Sequence, residues 1–254
     1  EEHPVITITP TTGPLGSPAG SVRPDAHGHH AADPALGGTR ATWPLAGAVA
    51  GIASLVAAMA GMATITEEQY LEGVGLVDEL ERGGYYVSFV VGLIGVAALF
   101  IAAAGWRRWA QHRAGDDLAA GTIATALSAT ATVNIIGYSM AGALALYLDG
   151  GLDAGTMSDE SLFVNFAYLD FGTLFGWWGA MLAAGCVAFL AFRRRLLPRW
   201  MGVVSVVTMA IPLGFALFTA LPGMPGLLMP LWLVAISVGM VFSRTAGASA
   251  GVPR

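Results

Sequence analysis

The chain has 254 residues and a formal net charge of −5, and 55% of its residues are hydrophobic whereas 11% are charged. A soluble domain is about 25% charged, so this composition excludes an ordinary water-soluble domain and is typical of a protein whose solvent is lipid. The negative charge argues against a nucleic-acid partner, which requires a dense basic surface. All twelve basic residues are Arg, a bias that, with much Ala, Gly and Val, indicates GC-rich coding and a bacterial source.

Residues 1–40 form the first predicted region. They contain six prolines among Gly, Ser, Thr and Ala, and they have too little apolar surface to offset the entropy of the chain. They show no basic stretch followed by an apolar one, so we expect a disordered cytoplasmic tail and not a signal peptide. The tail histidines His27, His29 and His30 have no fixed scaffold, so we expect neither a metal site nor a cofactor.

Six apolar stretches of membrane-spanning length follow within residues 41–244. They predict an all-α fold, a polytopic bundle of six transmembrane helices. The predicted spans are residues 43–63, 85–106, 118–148, 162–192, 200–220 and 225–242. Spans three and four are each about 46 Å long, more than a hydrocarbon core of about 30 Å. Span three must therefore tilt or protrude, and residues 162–169 are expected to lie in the outer headgroup layer or to form a separate short helix.

The arginines predict the orientation, because short cytoplasmic loops retain positive charge during insertion. Eleven of the twelve fall on one side of the predicted bundle, and only Arg82 falls on the other, in an acidic loop. We therefore predict a multi-pass protein of the bacterial inner membrane with both termini, including residues 245–254, in the cytoplasm. In the acidic loop, Thr66 and Gln69 are spaced as a capping box, which predicts a short helix lying flat on the outer surface.

Span three carries the densest polar set of the chain. Thr130, Asn134 and Tyr138 recur at i, i+4 and i+8 and therefore share one helix face. One account is that these side chains form hydrogen bonds to other helices or to carbonyls of their own helix and serve packing. The other account is that they line a polar cavity.

Asp170 is the acidic residue that falls inside a predicted span, and a carboxylate within a membrane is by default a candidate functional group. Counting back from Arg193 places it roughly 34 Å from the inner face, near the outer headgroups. There it is either simply hydrated or part of a pocket on the outer half of the bundle. The candidate binding set for that pocket is Asp170, Asn134, Tyr138, Thr130 and Asn165.

Glycines and tryptophans recur in the spans. Gly47 and Gly51 are spaced to let helices approach closely, and we interpret the pair as a packing seam within the chain, with homodimerisation as the alternative. Tryptophans near the predicted span ends are expected to act as interfacial anchors. These are Trp106, Trp109, Trp177, Trp178 and Trp200.

The segment Arg195-Leu-Leu-Pro-Arg-Trp-Met-Gly202, preceded by Phe175-Gly-Trp-Trp-Gly179, lies between two apolar spans. With these residues the second half of the chain resembles small six-helix actinobacterial membrane proteins of unknown function. The resemblance implies a helical membrane bundle and assigns no catalytic residue.

Three classes of function remain open. The absence of a charge pair at mid-membrane favours an accessory, scaffold or regulatory membrane component, whose partners are the lipid bilayer and either another membrane protein or a second copy. The alternative is a small transporter or channel with a polar outer-half pocket between spans three and four, because two sets of three spans have opposite orientations. An enzyme is third, since no predicted span contains the His that would activate a nucleophile.

Overall fold

The computed structural model describes residues 42–62, 65–220 and 223–243, except for the side chains of Glu67, Tyr70 and residues 170–174. Both predicted tails, residues 1–40 and 245–254, lie outside the described residues. Within the described ranges the chain is helical and contains no strand. The predicted all-α class is therefore confirmed.

The described part of the chain contains eight α-helices, one 3-10 helix and one π-helical turn. The α-helices are α1 (Trp43–Gly61), α2 (Glu67–Leu71), α3 (Arg82–Arg113), α4 (Leu118–Tyr147), α5 (Asp159–Phe175), α6 (Trp178–Phe189), α7 (Arg199–Thr219) and α8 (Pro225–Phe242). The 3-10 helix is Gly73–Glu79, and the π-helical turn is Leu190–Arg194. Helices α1, α3, α4, α7 and α8 are each long and apolar enough to cross a membrane.

The region predicted as one continuous fourth span, residues 162–192, is interrupted. Helix α5 ends at Phe175, and α6 begins at Trp178 after a turn at Gly176 and Trp177. Glycine lowers helix propensity and is a common site of sharp kinks. The break lies well beyond residues 162–169, which we expected either to lie in the outer headgroup layer or to form a separate short helix.

Several helix starts are encoded locally. The Asp117 carboxylate caps α4 by accepting hydrogen bonds from the backbone N–H groups of Ala119 and Ala120, at 3.0 and 3.3 Å. The predicted capping box is confirmed, because the Gln69 N–H donates to Thr66 Oγ1 at 3.3 Å while the Thr66 N–H donates to Gln69 Oε1 at 2.7 Å. These contacts satisfy backbone donors that a helix start would otherwise leave unpaired.

Six of the helices form a closed sequence of neighbours. Helix α1 packs on α3, α3 on α4, α4 on α6, α6 on α7, α7 on α8, and α8 returns to α1. Helix α5 lies against α4, and the 3-10 helix lies against α5. One large apolar cluster fills the centre of this sequence of helices, and a second one lies under the 3-10 helix around Leu76 and Phe166.

Glycines allow the helices to approach closely. A Cβ at Gly51 would lie 2.5 Å from the Pro230 carbonyl oxygen of α8, and a Cβ at Gly47 would overlap Ser237 of the same helix. The Gly47–Gly51 pair is therefore a seam within the chain, as predicted. The expected interfacial role of Trp106, Trp109 and Trp177 is wrong, because these side chains are buried in the central cluster.

Candidate functional site

The polar face of α4 points into the bundle. Thr130, Asn134 and Tyr138 are all buried, with 0%, 0% and 1% of their surface exposed. The predicted sharing of one face is therefore confirmed. The three side chains nevertheless meet different neighbours, so each has to be considered separately.

Tyr138 packs toward α3. Its ring lies on Gly92, where a Cβ would overlap the ring carbons. One turn further along α3, Gly95 packs against α1, and a Cβ there would lie 3.0 Å from Ser54 Oγ. Tyr138 thus belongs to the packing between α4 and the α1–α3 pair.

Thr130 lies against the start of α6. Its hydroxyl donates to the Ala126 carbonyl oxygen of its own helix at 3.1 Å. A Cβ at Gly179 would lie 2.6 Å from Thr130 Oγ1. The hydroxyl is therefore satisfied within α4, and the glycine opposite allows α6 to approach it.

Asn134 lies against the break between α5 and α6. A Cβ at Gly176 would overlap its Oδ1 atom and would lie 3.3 Å from its backbone nitrogen. Among the described residues, neither Oδ1 nor Nδ2 of Asn134 has a hydrogen-bond partner. Leaving a buried polar group unsatisfied costs about 1–3 kcal/mol. An unpaired amide at a helix break is therefore the most costly polar feature of this face.

The remaining predicted site residues lie on α5. Asn165 Nδ2 donates to the Met140 carbonyl oxygen at 3.1 Å and ties α5 to α4. Asp170 belongs to α5, but its side chain lies outside the described residues. The structure thus brings Thr130 and Asn134 together at the start of α6 and places Tyr138 and Asn165 elsewhere.

An apolar groove runs between α4 and α5. Its volume is about 460 Å³. The lining residues are Val133, Ile136, Gly137, Met140, Ala167, Tyr168 and Phe175. Val133 and Phe175 are the chain neighbours of Asn134 and Gly176, but the lining of the groove does not include Asn134. The sequence gives no direct indication of this groove, because its walls are ordinary apolar residues.

A second cavity, of about 290 Å³, lies at the end of α1 and is polar. Gln69, Glu79, Glu81 and Tyr85 contribute its polar side chains. The Gln69 amide donates to the Glu79 carboxylate across it. Within the described ranges, no group of three or more His, Cys, Asp or Glu side chains is arranged to hold a metal ion.

Two side-chain contacts that we did not predict join helices. Arg194 Nε lies 2.7 Å from Asp117 Oδ2, so the carboxylate that caps α4 also holds the turn after α6. Trp232 Nε1 donates to Ser205 Oγ at 2.8 Å and joins α8 to α7. The capping by Asp117 had a sequence signal, since Asp directly before a helical apolar run is a common N-cap. Its ion pair with Arg194 had none.

Comparison of the chain with protein-family models, with curated proteins and with solved structures finds no match. The geometry of the described residues is therefore the basis for assigning a function. Within it, the Asn134–Gly176 contact leaves two polar atoms unsatisfied, and Trp109 Nε1 likewise has no hydrogen-bond partner among the described residues.

Proposed function

We propose that this chain is a multi-pass membrane protein that crosses a bacterial cell membrane six times and acts as an accessory, scaffold or regulatory component. The five long apolar helices supply five crossings. We assign the sixth to α5 and α6 together. They have 17 and 12 residues, so neither spans a core of about 30 Å alone, whereas both in sequence do.

The charges at the two ends of α5–α6 support this sixth crossing. The loop before α5 and the start of α5 carry acidic residues, whereas α6 is followed by Arg193, Arg194 and Arg195. Short loops rich in Arg remain in the cytoplasm, so the end of α6 is assigned to the inside together with both termini. If α5–α6 did not cross the membrane, its two ends would lie on the same side of the membrane.

Arg82 is the one basic residue assigned to the outside. Its Nε donates to the Ala145 carbonyl oxygen at 2.7 Å, near the end of α4, where carbonyl groups lack partners in the helix. A cation at a helix C-terminus is favourable because the helix dipole is negative there. The contact gives Arg82 a local structural role that is consistent with the proposed orientation.

The observation that supports an accessory role is the dry packing of α4. Thr130 is satisfied by its own helix, and Tyr138 lies on a glycine of α3. Both side chains belong to a filled interior instead of lining a passage. The described residues contain no cluster that resembles a catalytic or metal centre, and so binding to another membrane component is the role the geometry supports best.

Cysteine labelling tests the number of crossings. The native Cys186 is replaced by Ala, and single cysteines are introduced as Thr156→Cys before α5 or Arg193→Cys after α6. A maleimide that cannot cross membranes should label the first in intact cells and the second only after permeabilisation. Labelling of both in intact cells would contradict the sixth crossing.

Photo-crosslinking tests the accessory role. Helix α7 has only 22% of its most apolar segment buried, against 44–50% for the other four long helices, so it offers the largest unpacked face to a partner. A photo-crosslinking residue at Val207 of α7 should capture one defined membrane protein or a second copy, whereas one at Ile101 of α3 should not. Solute transport by the purified chain alone in liposomes would contradict this role.

A small transporter is the second candidate, and the interrupted α5–α6 segment favours it. Discontinuous membrane helices form substrate and ion sites in several transporter folds, because their broken ends expose backbone polar groups. Asn134 lies at such a break. If the chain is a transporter, solute flux into liposomes should be lost in the Asn134→Ala variant and retained in the Thr132→Val variant. The second variant changes an exposed hydroxyl on the same helix.

A further inference from the structure

The turn between α6 and α7 carries the densest positive charge of the described residues. Arg193, Arg194 and Arg195 are consecutive, Arg199 follows four residues later, and all four side chains are exposed. The proposed orientation requires basic residues on the inner side of the membrane, but it does not require them to cluster in one turn. Their grouping therefore needs a separate explanation.

Acidic side chains neutralise little of this charge. The Asp117 carboxylate lies 2.7 Å from Arg194 Nε and pairs with it. Among the described residues, no ion pair involves Arg193, Arg195 or Arg199. The turn thus presents three positive charges that its neighbours in the described part of the chain do not balance.

The backbone that carries these arginines is fixed in the bundle. Leu190 and Leu197 are buried on either side of the turn, and the Leu196 N–H donates to the Leu190 carbonyl oxygen at 3.1 Å. Arg195 ends the π-helical turn with a φ of 55°, in the left-handed region. A ligand that binds the exposed guanidinium groups therefore does not have to order this backbone, and such preorganisation favours binding.

Two half-exposed aromatic side chains flank the arginines. Phe192 is 44% exposed and Trp200 is 45% exposed. The Phe192 ring lies on Gly202 of α7 and the Trp200 ring on Gly239 of α8, because a Cβ at either glycine would overlap the ring. Aromatic side chains at the end of a membrane span lie at the level of the lipid headgroups. An ordered apolar surface thus adjoins the positive charge at that level.

An anionic phospholipid matches both features of the turn. Guanidinium groups bind phosphate oxygens with paired hydrogen bonds, and basic clusters on the inner side of a membrane attract anionic lipids. The glycerol and the first acyl carbons of such a lipid are apolar enough to contact the aromatic rings. A free phosphate ion would use the charge but not the aromatic surface, so a lipid headgroup is favoured.

We propose that the turn between α6 and α7 binds an anionic phospholipid. Its phosphate is held by Arg193, Arg195 and Arg199, and its first acyl carbons contact Phe192 and Trp200. The site rests on the proposed membrane location, but it does not depend on whether the chain is an accessory component or a transporter.

Photolabelling of the full-length chain in phosphatidylcholine nanodiscs tests the site. The probes are phosphatidylglycerol and phosphatidylcholine, each with a diazirine on its first acyl carbons and each added in trace amount. Cross-linked positions are mapped by mass spectrometry. Phosphatidylglycerol should label Phe192 and Trp200 at least about fivefold more than phosphatidylcholine does, the ratio that one basic residue near a membrane surface provides.

Two matched variants make the result specific. Arg195→Gln combined with Arg199→Gln should remove most of the preference for phosphatidylglycerol. Arg107→Gln combined with Arg108→Gln removes the same charge from the inner end of α3 and should leave the preference unchanged. These four side chains are exposed, so both variants should fold.

An internal control separates failure of the site from failure of the membrane assignment. Ile101 of α3 is 57% exposed, and its labelling by either probe shows that the chain is inserted in lipid. Absence of that label would contradict the membrane location itself.

Three outcomes would overturn the proposed site. With Ile101 labelled, equal labelling of Phe192 and Trp200 by the two probes would mean that the turn does not select an anionic lipid. Equal losses in the two variants would assign the preference to the total charge of the inner side. Displacement of labelled phosphatidylglycerol by excess inorganic phosphate would mean that the turn binds free phosphate and not a lipid headgroup.

Discussion

Helix α4 packs on a glycine of α3 on one side and on the glycine between α5 and α6 on the other. The two contacts differ in whether they leave polar atoms without hydrogen bonds. Toward α3, the ring of Tyr138 lies on Gly92 within an unbroken helix. Toward α6, the amide of Asn134 lies on Gly176 at a helix break, and both amide atoms lack partners among the described residues. We call these the tyrosine seam and the asparagine seam.

The difference indicates that a close approach between two helices does not always stabilise the bundle. At the tyrosine seam, the absence of a Cβ lets a large ring fill the space between two helices, which is the usual basis of helix association in membranes. At the asparagine seam, the same close approach buries an amide at a cost. We infer that the tyrosine seam stabilises the bundle, whereas the buried amide of the asparagine seam lowers its stability.

The largest expected effect is at the tyrosine seam. Tyr138→Ala removes a buried ring and should lower the free energy of unfolding by about 3–5 kcal/mol, because the surrounding helices cannot close the cavity. Reversible unfolding in detergent micelles or bicelles measures this change. The control is Tyr86→Ala on α3, since 54% of the Tyr86 surface is exposed. A similar small loss in both variants would show that the seam is not structural.

Gly176→Ala is expected to have the next largest effect. The added methyl group overlaps Asn134 Oδ1, and overpacking of this kind costs about 1–3 kcal/mol. In an Asn134→Ala background, most of that loss should disappear, because the two side chains then no longer compete for one space. Gly121→Ala on α4 is the control, since nothing lies within 4 Å of its added Cβ. Additive losses in the double variant would contradict the direct contact.

Asp117 should have a smaller effect, exerted at the ends of the helices that form the asparagine seam. Asp117→Ala removes the cap of α4 and the ion pair with Arg194 and should cost about 1–2 kcal/mol. Asp117→Asn keeps the cap and loses the ion pair, so it should lower the free energy of unfolding by less than about 1 kcal/mol. The reason is that Arg194 is 58% exposed, so solvent screens its ion pair. Equal losses in the two variants would assign the effect to the ion pair alone.

Much of the fold follows from local sequence. Long apolar runs predict the helices, and the spacing of Thr130, Asn134 and Tyr138 predicts one shared face, since both depend only on composition and on the helical period. The capping box at Thr66 and Gln69 is equally local. The spacing leaves open whether this face of α4 packs against other helices or lines a cavity, because helical periodicity does not show what lies opposite.

The features that escaped prediction depend on partners distant in the chain. Neither the break at Gly176 nor the burial of Trp106 is visible without knowing which helix packs opposite. Trp106 is surrounded by other aromatic side chains, with the ring centroids of Trp43 and Trp109 at 5.6 and 5.4 Å. Tryptophan is therefore suited both to burial inside a helical bundle and to anchoring at a membrane surface. The sequence does not distinguish these two roles.

The most direct test of the distinction between the two seams is the stability of Asn134→Leu. Leucine has a similar volume and removes both unsatisfied atoms, so the free energy of unfolding should stay unchanged or rise by about 1 kcal/mol. Thr132→Val is the matched control on the same helix, where a satisfied and exposed hydroxyl is replaced. A decrease of more than about 1 kcal/mol in Asn134→Leu would show that the amide stabilises the bundle, and it would contradict the inference that the asparagine seam lowers stability.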